Sequence, residues 1–225
     1  MPLTSRKPRP LVRDSNSFRD DRLFIVASDD TYAPKQYFDA YELPRVKVEV
    51  VPTIDGTSSA PHVLARLEAY EVEDDDERWM LLDTDHYVED SHAATFLQAI
   101  SQARQKGINV AISRPCFDFW LLLHHLDDRS KLNAITNAKS VLAELRSTLG
   151  EFNKTNLDPK LFPLSSVIKA CRLARDIDEQ TGGGDRPIGP TSRVYMLWES
   201  IVSKAQQSQL PEELVPLSRA ARQGS

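Results

Sequence analysis

Four apolar runs of strand length, each followed by a stretch of helical length, limit what this chain can fold into. Leu23-Phe24-Ile25-Val26-Ala27, Val46 to Val51, Trp79-Met80-Leu81-Leu82 and Ile108-Asn109-Val110-Ala111-Ile112-Ser113 supply the runs. The first and third are uninterrupted, as in strands buried on both faces. Helices are expected over 35 to about 42, 61–70, 92–105 and 116–125, with Pro34 opening the first and Gly107 closing the third. Strand–helix repetition implies parallel strands joined by right-handed crossovers. The fold class expected is α/β, a mostly parallel sheet flanked by helices. Beyond residue 130 the pattern becomes helical, over 132–149, 162–178 and 192–205, which predicts a C-terminal helical extension.

The third run ends in Asp83-Thr84-Asp85-His86. Alternate side chains on a strand share a face, so Asp83 and Asp85 are expected to point together while Thr84 points away. Strand carboxyl ends are where open α/β sheets build sites. Paired carboxylates there suit Mg²⁺, which takes one or two carboxylates, waters and substrate phosphate. Asp is also common in ordinary turns. Zinc is not expected: His86 and His92 are six apart and His124 and His125 are adjacent, neither matching a helical zinc pair.

At 225 residues the chain is long enough for one domain with a substantial core. Residues 1–20 read as a flexible basic arm, with Arg6, Lys7, Arg9 and Arg13 available to touch phosphate; 21–128 form the α/β core. Residues 129–208 form the helical extension packed on it, and 209–225 a tail. Two cysteines, Cys116 and Cys171, make no disulfide framework, no run spans a membrane, and the N-terminus lacks an apolar signal core, so a cytoplasmic protein is expected. A net charge of −5 argues against a passive nucleic-acid coat, though not against a metal-dependent nuclease, whose cation supplies positive charge locally. The glycines at 182–184 have neither a preceding strand nor the Lys-Ser/Thr of a phosphate loop, so they read as a flexible connection.

The segment Gly107-Ile108-Asn109-Val110-Ala111-Ile112-Ser113-Arg114-Pro115-Cys116-Phe117-Asp118-Phe119-Trp120-Leu121-Leu122-Leu123-His124 resembles a pattern of the RloB-like family. These are small Toprim-like proteins of prokaryotic defence and restriction-associated loci. The family pattern is a buried strand, Ser-Asn-Pro, then Cys-Phe-Glu-x-Trp-Leu-Leu-Leu-His. Here Arg114 stands at its Asn and Asp118 at its Glu. Leu82-Asp83-Thr84-Asp85 is similar to the family's Phe-Asp-x-Asp, and Asp55-Gly56-Thr57 to its Gly-Thr loop. Lys154 follows Phe152 much as a family Lys follows Tyr or Phe. Residues 190–197 are similar to a late Pro-Ser-Thr-x-Val-x-x-Leu. The resemblance spans roughly 22–205.

It implies a Toprim-like fold and a metal-dependent nuclease acting on RNA or DNA, the effector of an anti-phage system with an ABC- or SMC-like ATPase partner. Mg²⁺ or Mn²⁺ would sit on Asp83 and Asp85 together with an acid from the first strand. Asp118 would hold a second ion or orient water, and Lys154 would steady the phosphate. One departure matters. Counting back from Pro34, the family's first-strand Glu falls on Ser28, so Asp29 or Asp30 must supply the third acid from a neighbouring position. Failing that, the same scaffold would serve as a binding or regulatory subunit. A phosphohydrolase using Asp83 as nucleophile and Asp85 as acid/base also fits D-x-D, but leaves the 113–120 segment unexplained.

Overall fold

The computed structural model describes residues 21–53, 57–85, 90–181 and 183–223. The arm at 1–20, Asp55-Gly56, His86 and the His92 side chain lie outside the described residues. Strands β1 (Arg22–Ser28), β2 (Val46–Val51), β3 (Glu77–Asp83) and β4 (Asn109–Arg114) alternate with helices α1 (Ala33–Asp39), α2 (Ala60–Glu68) and α3 (Asp90–Gln105). The expected α/β class, a mostly parallel sheet flanked by helices, is what the chain adopts. Sheet order is β2-β1-β3-β4-β5, with the first four strands parallel. The two-residue β5 (Thr191–Ser192) is antiparallel to β4.

Alternation along the strands divides the core. Leu23, Ile25, Ala27, Met80, Leu82, Val110 and Ile112 pack with α2 and α3 on one face. Phe24, Val26, Trp79, Leu81 and Ala111 pack with α1, the C-terminal helices and α4 (Phe117–Leu123) on the other. Thus α1 leaves β1 over one face and α2 returns from β2 over the opposite one. Strand order reverses between β1 and β3, and such a reversal opens a crevice beyond the strand ends. Gly107, at φ 68°, makes the left-handed turn from α3 into β4 that a side chain would resist.

The C-terminal third departs from expectation in three places. The helix expected over 132–149 is a 3₁₀ turn, Arg129–Ala134, followed by a break and α5 (Ala138–Leu149). Asn137 stops it: its side chain accepts from Ser140 N while Ser140 Oγ accepts from Asn137 N, a capping box that starts a new helix. After α6 (Leu164–Gln180), Thr191-Ser192 join the sheet, with Ser192 Oγ 2.9 Å from Ser113 Oγ. Beyond α7 (Val194–Lys204), the expected tail instead carries α8 (Val215–Gln223), seated on the core through buried Leu210, Leu214 and Leu217. Apolar residues three and four apart share one side of the chain here, and that is enough to dock it.

A buried polar chain ties α1, α4, α6 and α7 together. Trp198 Nε1 donates to Tyr37 Oη (3.0 Å), Tyr37 Oη lies 3.1 Å from His124 Nε2, and His124 Nδ1 lies 2.7 Å from Ser166 Oγ. Ser166 donates to the Pro163 carbonyl at 2.8 Å, so its oxygen accepts from His124 Nδ1–H and Nε2 accepts from Tyr37. That fixes one neutral tautomer. Burial, with His125 and Lys169 nearby, holds His124 well below the usual histidine range. Only the unfolded state then takes up a proton near pH 6.5, so this stabilisation is present above that pH and lost as pH falls. Between pH 7.5 and 5.5 the wild type should lose about 1.4 kcal/mol more unfolding free energy than His124→Gln. Denaturant melts at both values measure this, and equal losses would contradict it.

Candidate metal and phosphate site

The crevice at the β1–β3 reversal gathers most of the acids singled out above. Pairing continues one residue past β1, with Asp29 N reaching the Leu81 carbonyl at 3.4 Å. Asp29, 5% exposed, turns its carboxylate onto the next strand, where Oδ2 accepts from Asp83 N at 2.8 Å. Its Oδ1 is buried with no hydrogen-bond partner. Ser28 is spent locally, since its hydroxyl accepts from Asp30 N at 3.1 Å. Asp30 is spent too. Oδ1 accepts from Tyr32 N (2.8 Å) and Ala33 N (3.0 Å) at the start of α1, while Oδ2 accepts from Lys154 Nζ at 3.3 Å. Of the two adjacent acids, Asp29 is the one with an oxygen left to offer.

Asp83 is the last residue of β3 and 6% exposed. The strand stops there because Thr84 N turns to the carbonyls of Ser113 (3.1 Å) and Pro115 (3.0 Å), and Asp85 N to Pro115 (3.0 Å). Asp85 therefore stands after a turn, rather than two places along the same strand as expected. It remains within electrostatic reach of Asp29, Asp83 and Asp118. Asp118, in the first turn of α4, is buried, and its Oδ1 also has no hydrogen-bond partner. An acid there also benefits from the helix dipole.

Lys154 reaches this cluster from the loop after α5. Its side chain is 47% exposed, and the loop is held by one amide. Gln36 Nε2 donates to the Lys154 carbonyl (3.1 Å) and to Tyr32 O (3.2 Å), and its Oε1 accepts from Leu157 N at 2.8 Å. Both polar atoms of the Gln36 side chain thus fix where Lys154 stands, a role its sequence context did not signal. No motif pointed to it.

The electrostatics are those of too many acids for one cation. Burial pushes the Asp29 carboxyl up to about 8; the hydrogen bond from Asp83 N opposes this, and the charges of Asp30 and Asp85 add to it. Asp83 is raised well above the carboxylate range by burial and then by Asp29, Asp30, Asp85 and Asp118. Asp118 is raised to about 6, again by burial first, with Lys154 offsetting part. For Lys154, burial opposes the charge, but Asp30 and Asp118 outweigh it and hold the ammonium above its usual range. Among the described residues, these acids included, no three His, Cys, Asp or Glu stand close enough to hold an ion jointly.

A divalent cation held by fewer protein groups still suits this arrangement on two counts. Buried carboxylate oxygens at Asp29 and Asp118 lack partners, and like charges are held together by the fold with a single lysine among them. A donor set sparser than three is what Mg²⁺ accepts, since it keeps several waters.

The RloB-like protein family profile matches residues 24–201, and so covers most of the chain. The chain belongs to the RloB-like family. The matched span begins inside β1 and ends inside α7, so it contains the crevice, α4 and the Lys154 loop. No curated protein and no solved structure matches the chain. Among the described residues no helix is long and apolar enough to cross a membrane.

Proposed function

We propose that this RloB-like protein is a Toprim-like, metal-dependent nuclease that cleaves phosphodiester bonds of RNA or DNA. In this reading it is the effector of an anti-phage system and works with an ABC- or SMC-like ATPase. The observation that carries the reading is Asp29 bonded to Asp83 N across the reversal point, with one buried carboxylate oxygen free. It answers the missing first-strand Glu: the next residue along brings a carboxylate to the end of β3. Asp29 and Asp83 would hold Mg²⁺ or Mn²⁺ directly, with Asp85 bonding the waters of the ion, and a bound ion there polarises phosphate and lowers the pKa of its water. Asp118 would orient that water or accept its proton, its carboxyl being raised to about 6. Lys154, aimed by Gln36, would neutralise charge building on the phosphate.

Two observations favour a second reading, a catalytically impaired scaffold acting as a binding or regulatory subunit. Ser28 removes a charged ligand, and no three acids among the described residues close around one point. The two readings separate in one assay. Purified protein, with and without Mg²⁺ or Mn²⁺, is incubated with tRNA, single-stranded and duplex substrates beside an Asp83→Ala/Asp85→Ala variant. Metal-dependent cutting absent from the variant supports the nuclease. No cutting by either form, with the ATPase partner present, supports the scaffold.

A further inference from the structure

Beside Asp85 the crevice continues into a cleft of about 520 Å³. Its walls include Thr84 and Asp85 after β3, Arg114 and Pro115 at the end of β4, and the loop Asp185-Arg186-Pro187-Ile188. That loop, which follows the glycines expected to be a flexible connection, is held at three points. Arg104 grips both Asp185 oxygens, at 2.6 and 2.5 Å. Arg114 Nη1 donates to the Pro187 carbonyl at 2.8 Å. At its base, Asp178 accepts from Arg193 Nε at 3.1 Å on each oxygen, and from Tyr195 Oη at 3.0 Å. Gly183, at φ 49°, passes so close to Asp178 and Arg193 that a side chain there would collide with both.

Two side chains on this fixed loop take no part in holding it. Arg186 is exposed and makes no hydrogen bond or ion pair among the described residues. Ile188 is 85% exposed. With Asp185 neutralised by Arg104, the lining carries the positive charges of Arg114 and Arg186 as well as the carboxylate of Asp85, on whose side the acidic crevice adjoins. That arrangement suits a phosphate chain whose next phosphate enters the acidic crevice. Guanidinium planes also stack on bases, and an exposed apolar side chain gives a base a surface to lie on. The volume takes a single unstacked nucleotide rather than a duplex.

We propose that this cleft binds a nucleotide of single-stranded nucleic acid flanking the reacting phosphate, with Arg186 on the backbone and Ile188 against the base. This rests on the nuclease reading for the place of the reacting phosphate, but its test reads binding alone. Fluorescein-labelled oligodeoxythymidylate and oligouridylate are titrated by anisotropy against the full chain, with Ca²⁺ in place of Mg²⁺, across a range of salt. Arg186→Ala should weaken binding several-fold and lower the salt slope by about 0.7, the share of one phosphate contact on a single strand. Ile188→Ser should weaken binding with the slope unchanged. Lys204→Ala, exposed at the opposite end of the sheet, should do neither. A larger loss on one of the two oligonucleotides tells RNA from DNA.

Wild-type binding that is indifferent to both Arg186→Ala and Ile188→Ser overturns the cleft while leaving the nuclease reading standing. Equal effects of the changes on a duplex overturn the single-strand assignment. Binding that depends on both residues, in a protein that never cleaves, supports the cleft and removes the nuclease. A wild type that binds neither oligonucleotide overturns the cleft, and the nuclease reading then stands or falls on the cleavage assay with tRNA and duplex.

Discussion

Asp83→Asn is expected to make the metal-free protein more stable and, on the nuclease reading, to abolish its activity. Asp83 is buried within electrostatic reach of Asp29, Asp30, Asp85 and Asp118. A carboxyl whose folded pKa is raised contributes stability that is fully present below its unfolded value, near 4, and lost as pH rises through the folded value. The metal-free wild type therefore carries this penalty at pH 8, and an amide of the same shape does not. Relieving a tenfold bias in the proton equilibrium releases about 1.4 kcal/mol, and each kcal/mol moves the midpoint of a chain this size by about 2–4 °C. We expect a midpoint higher by about 3–6 °C at pH 8, and a smaller gain at pH 5. The backbone N of residue 83 still donates to Asp29, so that contact is preserved.

Magnesium should reverse the order. An ion binding only the folded state at a hundred times its Kd adds about 2.7 kcal/mol. The wild type is expected to gain this on titration with Mg²⁺, and Asp83→Asn to gain little. Nuclease activity should fall at least about a thousandfold, because several kcal/mol of charge stabilisation go with the ion. Thermal melts with and without Mg²⁺ at two pH values, beside a cleavage assay, measure all of this. A destabilised metal-free variant would contradict the electrostatic account.

Lys154→Met should be the second large effect, and it should fall on turnover. The lysine bonds to Asp30 at 3.3 Å and stands within electrostatic reach of Asp118 and Asp83. Removing one preorganised cation from a developing charge costs roughly 10²–10³ in kcat. KM should change by far less, since the interaction is made late. Gln36→Leu tests the positioning. It keeps the lysine but releases its loop from the amide that holds the Lys154 carbonyl and Leu157 N. A loss of about tenfold in kcat is expected, because small misplacements at a reacting centre already cost up to about a hundredfold. Gln36→Glu retains the acceptor for Leu157 N and should recover part. Loss confined to KM in both variants would assign these residues to substrate holding.

Much of this was legible in the amino-acid sequence, for identifiable reasons. β1 and β3 carry unbroken apolar runs, and a run buried on both faces is visible without partners. Thr191-Ser192 was not, because two hydroxyl residues have no periodicity, and their pairing is set by Ser113 and Arg114 opposite them. The Asn137–Ser140 box was present in the chain, yet the apolar spacing ran across it and obscured the break. At the site, the acidic ends of β1 and β3 were legible as a motif. Which of Asp29 and Asp30 faces the crevice was not, because that depends on a turn in which Ser28 accepts from Asp30 N and Asp30 accepts from Tyr32 N and Ala33 N. Gln36, Arg186 and Ile188 had no motif at all; only the three-dimensional arrangement gives them a part.

Every role assigned to the crevice depends on Asp29 and Asp83 sharing one divalent ion. Crystals soaked in Mn²⁺ at pH 8 should show a single anomalous peak beyond the ends of β1 and β3, with Asp29 Oδ1 at about 2.1 Å. The peak should be missing from Asp29→Asn/Asp83→Asn crystals treated identically. An empty crevice in the wild type, with the two carboxyl groups bonded to each other through a retained proton, would contradict it.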